Sequence, residues 1–226
     1  MSSKSKKTAE EIDRAYSSTP WWYDLRGFLI LTFAYNSTLG SQLRFFGPNF
    51  GREHLELACG TGTLLEMVLK WRRRRRLDTT RVVGVDYAES MLAGARARFA
   101  STPEVELQRA DAADLPFADE QFDTVNIANS VHCLPDVESA LRESFRVLRP
   151  GGTLAANVLL FPQGGQPRRG IAERINRWGM RKGILHTPYD QVDIRSRFAD
   201  AGFEIVSEGV RGNCYNILLR RPVRHP

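Results

Sequence analysis

The chain has 226 residues, 42% of them hydrophobic and 26% charged, enough to bury the core of one folded domain with a modest appendage. Its apolar runs, such as FLILTF at 28–33, fall short of the roughly 20 residues of a bilayer-crossing helix, and the start MSSKSKKTAEEIDR lacks the apolar centre of a signal peptide, so a cytoplasmic protein is expected. The formal net charge of +6 leaves room for an anionic partner, while three widely spaced cysteines, Cys59, Cys133 and Cys214, with no CxxC pair, suggest neither a disulfide framework nor a metal site.

In chain order, residues 1–51 stand apart: a polar beginning, then an aromatic-dense stretch in which Phe28, Leu31, Thr32 and Asn36 have helical spacing. They predict an N-terminal helical cap. From residue 52 to 226 the pattern becomes strand and helix alternation. Strand candidates are HLELAC, RVVGVD, VELQRAD, FDTVNIAN and GTLAANVLLF; helical stretches fall at 62–72, 88–100 and 136–148. Strands that are nearly apolar throughout and separated by helices predict an α/β fold, a Rossmann-like doubly wound sheet, mostly parallel. A break at 161–170 opens an insertion at about 162–187 with a helix of its own, and another helix ends in RFADAGF. The last runs, EIVSEGV and CYNILLRRP, are joined by the turn signal RGN and predict a C-terminal antiparallel hairpin.

Much of the positive charge sits in WRRRRR at 71–76 and in the tail at 219–226. Such runs are more often a solvated loop or helix end than a binding site; the alternatives are membrane phosphates and nucleic acid.

In ELACGTGT the first strand ends at a G-x-G, where Gly60 and Gly62 permit a sharp turn and a close backbone approach to a ligand. Leu65 stands where a dinucleotide fingerprint needs its third glycine, so no pyrophosphate cradle is specified. The second strand ends in Asp86, placed to accept from ribose hydroxyls, and the third in RAD, whose Asp111 can accept from an adenine amino group. Each aspartate alone is better explained as a helix cap. Three such features on successive strand ends point to a ligand edge.

The segments LELACGTGTLL, VVGVDYAESML, ADAADLPFADEQFDTVNIANSVHCLPD and ALRESFRVLRPGGTLAANV resemble, in order, the motifs of class I S-adenosylmethionine-dependent methyltransferases, in the small-molecule branch that includes ubiquinone and menaquinone C-methyltransferases. The resemblance implies S-adenosyl-L-methionine as cofactor and S-adenosyl-L-homocysteine as product. It implies that Glu56, Ala58, Gly60 and Gly62 form the loop at the methionine part, and that Asp86 binds the ribose. Tyr87 and Met91 then pack on the adenine, Asp111 and Ala112 form the adenine edge, and Asn129 touches the methionine portion through its backbone. Glu56 and Asp86 lie 30 residues apart, longer than the resemblance implies, and the surplus falls on WRRRRRLDTTR, read as an extended loop after the first helix. LRPGG matches a family signature whose role is structural: proline stops a helix and the glycines turn into the fifth strand.

Methyl transfer from a sulfonium needs alignment and exclusion of water more than a fixed catalytic motif. Should the acceptor need a general base, His132 in NSVHCLPD is the candidate, because it follows the fourth strand at the ligand edge; simple packing is the competing explanation. Tyr16, Trp21, Trp22 and Tyr23 are candidates for an acceptor pocket, against the alternative of plain packing. The YD of residues 23–24 resembles a stretch of quinone methyltransferases.

The expected function is methylation of a small, apolar or aromatic acceptor. The first alternative is a membrane lipid amine or quinone, with the protein peripheral to an anionic membrane surface. Nucleic-acid methylation and a non-catalytic cofactor-binding protein rank lower: there is no N-P-P-Y-like stretch, but fold alone does not fix function.

Overall fold

The computed structural model describes residues 38–77, 81–163, 165, 168–182 and 185–223. Tyr16, Trp21, Trp22 and Tyr23, with most of the expected cap, lie outside the described residues.

In chain order these residues form α1 (Leu39–Phe46), β1 (Glu53–Leu57), α2 (Thr63–Arg74), β2 (Arg81–Asp86), α3 (Glu89–Phe99), β3 (Val105–Arg109) and β4 (Phe122–Ile127). A single 3-10 turn (Val131–Cys133) precedes α4 (Val137–Val147), β5 (Leu148–Leu159), α5 (Arg168–Arg181), α6 (Gln191–Asp200), β6 (Glu204–Arg211) and β7 (Cys214–Arg220). The seven strands make one sheet in the order β3-β2-β1-β4-β5-β7-β6. The first five run parallel; β7 lies antiparallel against β5 and pairs with β6 in the expected hairpin, which turns at Gly212 and Asn213.

Helices cover both faces, which is why the central strands are apolar on both sides. On one face Leu55, Leu57, Val83, Val85 and Val125 share a core with Leu141 of α4 and with Ile194 and Phe198 of α6. On the other, Val82 packs with Leu65 and Leu69 of α2 and with Ala95 and Phe99 of α3. Phe46 of α1 joins Val68 and Ala155 beside them. A fully buried leucine of this kind contributes about 1.5–3 kcal/mol of transfer free energy. Helix starts are marked by side chains: the Asp136 carboxylate accepts from the Ser139 N–H at 3.0 Å, and that of Asp190 from the Val192 N–H at 2.8 Å. β6 is an exposed edge strand, and its Glu204, Glu208 and Arg211 oppose pairing with another edge.

Two local expectations are corrected. The arginine run is not a loop after α2: the helix continues to Arg74, and Arg72 is buried, donating to the Gly47 carbonyl at 2.7 Å with its guanidinium 4.8 Å from the Phe50 ring centre. The alkyl stem and planar head of arginine allow this burial once the donors are met. The LRPGG segment does not turn from helix to strand either. Leu148 directly after α4 already pairs with Phe122, and the next partners are Thr124 and Thr153, so residues 149–152 bulge out opposite Asp123. Gly152 is required there, because a Cβ would lie 2.8 Å from two carbonyl oxygens, those of Arg149 and Asp123.

Candidate functional site

Parallel strands place their carboxyl ends on one edge, so the loops after β1, β2, β3 and β4 open on the same side of the sheet. The loop after β1 is the tightest. Ala58, Gly60 and Gly62 all have positive φ (54°, 57° and 74°). Gly62 begins α2 in the left-handed region, and a Cβ on it would sit 2.4 Å from Phe99 Cε2 of α3. The loop is bound from several directions. The Cys59 N–H donates to the Val85 carbonyl at 2.9 Å, the Gly60 N–H donates to Asp86 Oδ2 at 2.8 Å, and Arg98 Nε donates to the Thr61 carbonyl at 3.0 Å.

Asp86 thus ties two loops together, since its Oδ1 also accepts from the Ala88 N–H at 2.9 Å. A carboxylate oxygen can accept more than one hydrogen bond. Tyr87 next to it is half-buried, with the Arg109 guanidinium 5.7 Å from its ring centre and Arg109 Nε donating to its carbonyl at 3.0 Å. Met91 is buried in the first turn of α3. Asp111 is exposed and accepts from the Ala113 N–H at 2.9 Å, while half-buried Ala112 packs on the main core.

Beneath the β1 loop lies a buried polar row. Glu56 is 5% exposed, and burial pushes its carboxyl up to about 8, opposed by the hydrogen bond from Asn126 Nδ2 at 3.3 Å. His54 Nε2 lies 3.3 Å from the same Glu56 oxygen and its Nδ1 2.8 Å from Thr124 Oγ1, with Phe50 stacked on the ring at 3.7 Å. Burial first, then the Arg72 charge, hold the His54 imidazole well below its usual range. Burial thus favours the neutral acid and the neutral imidazole over an ion pair, an arrangement in which a Glu56 hydroxyl can donate to Nε2 and an Nδ1–H to Thr124. Asn49 Nδ2 continues the row to Asn126 Oδ1 at 2.9 Å.

At the end of β4, Asn129 is held at φ 56° by four hydrogen bonds. Its N–H donates to Asn157 Oδ1 at 2.6 Å, and its Nδ2 to Gln42 Oε1 at 2.9 Å. Its Oδ1 accepts from Gln42 Nε2 and from Asn157 Nδ2, both at 2.8 Å. With side chain and N–H so engaged, the group that Asn129 can offer a ligand is its carbonyl. Ser130 Oγ, next in the chain, has the Ala128 carbonyl at 2.9 Å and the Ala58 carbonyl at 3.3 Å within reach of its one hydrogen.

His132 lies in the 3-10 turn beyond, 4% exposed, and burial pushes its imidazole down to about 3, so it is neutral. Its carbonyl accepts from the N–H groups of His186 and Thr187, which fastens the stretch after α5 to the end of β4. On the inward side of α5, Asn176 is 4% exposed and, among the described residues, neither of its side-chain amide atoms has a hydrogen-bond partner. An amide left so loses about 1–3 kcal/mol.

The structure thus brings Glu56, Ala58, Gly60, Gly62, Asp86 and Asn129 to one edge, with Tyr87, Met91, Asp111, Ala112 and His132 on the flanking loops and turns. Gln42, Arg98, Phe99, Asn126, Asn157 and Asn176 were not singled out from the sequence.

The family model described as a methyltransferase domain matches residues 55–156, the stretch that builds this edge. That stretch is thus similar to a methyltransferase domain, and the strand order around it is Rossmann-like, mostly parallel with a closing antiparallel pair. The 2-phytyl-1,4-naphtoquinone methyltransferase of Thermosynechococcus vestitus is 35% identical over 137 residues, which is 61% of this chain and 57% of that protein. The demethylmenaquinone methyltransferase of Thermus thermophilus is 43% identical over 122 residues, 54% of this chain and 52% of that one. The chain spans little more than half the length of these curated relatives. Among solved structures, a chain from the complex with the Haloferax volcanii Trm112 methyltransferase activator superposes with a TM-score of 0.70 at 19% identity, covering 97% of this chain and 100% of the other. At that identity the likeness concerns the fold alone.

Proposed function

We propose that the chain is an S-adenosylmethionine-dependent methyltransferase that acts on a small, apolar or aromatic acceptor. The observation that carries this is the junction of Gly60 with Asp86, flanked by Ala58 and Asn129 at positive φ: a narrow loop, a carboxylate and a presented carbonyl on one edge. These residues fit the cofactor's parts. The carboxylate of Asp86 suits the ribose, the Asn129 carbonyl and the Glu56 acid suit the ammonium, and Tyr87, Met91, Asp111 and Ala112 flank the place for the adenine. The cofactor supplies a methyl group already activated on a sulfonium, so the chain's own residues have to align the acceptor and keep water out.

Within this reading a quinone or related ring acceptor is favoured, because the relatives described above are named for 2-phytyl-1,4-naphtoquinone and demethylmenaquinone. Tyr16, Trp21, Trp22 and Tyr23 of the N-terminal 1–51 segment, and the 162–187 segment, are the proposed acceptor walls. Asn176 is a donor and acceptor for an oxygen on such a ring. His132, in the 3-10 turn after β4, is proposed to hold the acceptor's hydroxyl by accepting a hydrogen bond on its neutral ring; burial, which pushes the imidazole down to about 3, opposes full proton transfer to it. The working location is cytoplasmic, peripheral to a membrane; no helix among the described residues is long and apolar enough to cross one.

Calorimetric titration with S-adenosylhomocysteine, with NADH as control, tests the site. Selective binding of the former is expected, weakened at least about tenfold in Asp86→Ala by loss of charge-assisted hydrogen bonds worth about 1.5–3 kcal/mol. Unchanged affinity in folded Asp86→Ala would remove the ribose assignment, and binding of NADH alone would remove the cofactor. His132→Ala, titrated alongside, keeps its cofactor affinity and slows turnover of a quinol acceptor if this hydrogen-bonding role is right.

A further inference from the structure

Helix α5 has its side chains arranged the wrong way round for a helix that only covers a core. Its buried positions are Ala172, Asn176 and Gly179, two small residues and an amide, at the i, i+4, i+7 spacing of one face. The opposite face carries Ile171, Arg174, Trp178 and Arg181 at i, i+3, i+7, i+10, with Arg177 beside them and Lys182 just after the helix. Ile171 is 44% exposed and Trp178 39%. Arg169 pairs with Glu173 at 2.8 Å, but no acidic side chain among the described residues pairs with Arg174, Arg177, Arg181 or Lys182. An exposed tryptophan and isoleucine among cations match a surface that is anionic outside and apolar a few ångströms beneath, which describes a bilayer with acidic headgroups.

The position of this face matters as much as its composition. Ile175 on α5 packs with Leu159 at the carboxyl end of β5, with Cys214 and with Leu185, and the chain after Leu185 is hydrogen-bonded to the His132 carbonyl. The helix therefore lies at the edge that holds the candidate site. The other basic cluster does not. α2 starts at that edge with Thr63 and runs back along the sheet, so Arg73, Arg74 and Arg76 emerge at the opposite, amino-terminal edge. A membrane held there would face away from the site.

We propose that the outer face of α5, centred on Arg174, Trp178 and Arg181, is a docking surface for an anionic lipid bilayer and that it turns the acceptor side of the molecule toward the membrane. The advantage to the enzyme rests on the methyltransferase reading above, since an apolar ring acceptor resides in lipid; the binding itself is read without cofactor or acceptor.

The test is sedimentation of the full chain with vesicles of phosphatidylcholine containing about 30 mol% phosphatidylglycerol, against pure phosphatidylcholine. Binding to the anionic vesicles, weakened by salt, is expected. The triple change Arg174→Ser, Arg177→Ser, Arg181→Ser should lower affinity by about tenfold or more, and Trp178→Ser by about fivefold. The triple change Arg73→Ser, Arg74→Ser, Arg76→Ser should stay within about twofold of the parent. No binding to anionic vesicles overturns the proposal, as does a loss caused by the α2 changes and not by those on α5, or caused equally by both, which would mean diffuse net charge. Tighter binding of a short RNA duplex than of vesicles, abolished by the α5 changes, would assign the face to nucleic acid and also overturn it. S-adenosylhomocysteine titration of the same proteins separates the two ideas: cofactor binding without vesicle binding removes docking alone, and vesicle binding without cofactor binding removes the methyltransferase reading alone.

Discussion

Glu56 shows how a single residue can link a site to pH. Its carboxyl is raised to about 8 by burial and lies 3.3 Å from His54 Nε2, so at pH 7 the protonated form is the favoured one in the free protein. A ligand ammonium beside it favours the ionised form, and binding then releases a proton. Affinity for S-adenosylhomocysteine should therefore rise as pH goes from about 6 to about 8, by at most about tenfold per unit. Glu56→Gln should flatten this rise. Calorimetry in two buffers of different ionisation enthalpy checks it, and an equal apparent enthalpy in both would show that no proton leaves. Asp86 behaves differently. It already accepts from two backbone N–H groups, so its replacement disturbs the Gly60 loop as well as any ribose contact.

Among the elements, the turn from β1 into α2 is the most constrained. An alanine at Gly62 meets two penalties, a left-handed φ of 74° and a Cβ 2.4 Å from the Phe99 ring, and α2 or α3 has to move to admit it. Gly62→Ala should cost about 2–4 kcal/mol, seen as a lower midpoint in urea with little change in slope; a midpoint within error of the parent would mean that Phe99 swings aside freely. The need for a tight turn was legible in ACGTG, because a strand followed by G-x-G and a helix carries it locally. The partner that makes Gly62 obligatory was not, since Phe99 lies at the far end of another helix. The same division runs through the site. Asp86 stood out as an acid at a strand end, whereas Gln42 and Asn129, 87 residues apart, leave no local pattern. Arg72 was misjudged because a charge within an arginine run reads as solvated until a carbonyl and a ring are found around it. The parallel sheet and the closing hairpin were readable because apolar strands and a Gly-Asn turn are themselves the cause of those features.

For the molecule as a whole, three buried groups shape the dependence of stability on pH. His54 and His132 are held below the usual 6.5, so as pH falls beneath that value the unfolded chain binds protons that the folded chain refuses, and stability is lost. Glu56 is raised from 4.5 to about 8, so as pH climbs through that window the unfolded chain sheds a proton that the folded chain keeps, and stability is lost on that side too. Where the windows overlap two histidines outweigh one acid, which puts the maximum from these groups near pH 6.5. Thermal unfolding followed from about pH 5 to about pH 8 should show it, with the acid limb shallower in His132→Asn and the alkaline limb shallower in Glu56→Gln. A melting temperature that climbs steadily to pH 8 would mean that other groups dominate. The Gln42, Asn129 and Asn157 amides at the end of β4 stand outside all of this. None of them gains or loses a proton, and none carries a charge for salt to screen, so this network is indifferent to the pH that sets the state of Glu56. The same sheet edge thus has one support that ignores pH and one that answers to it.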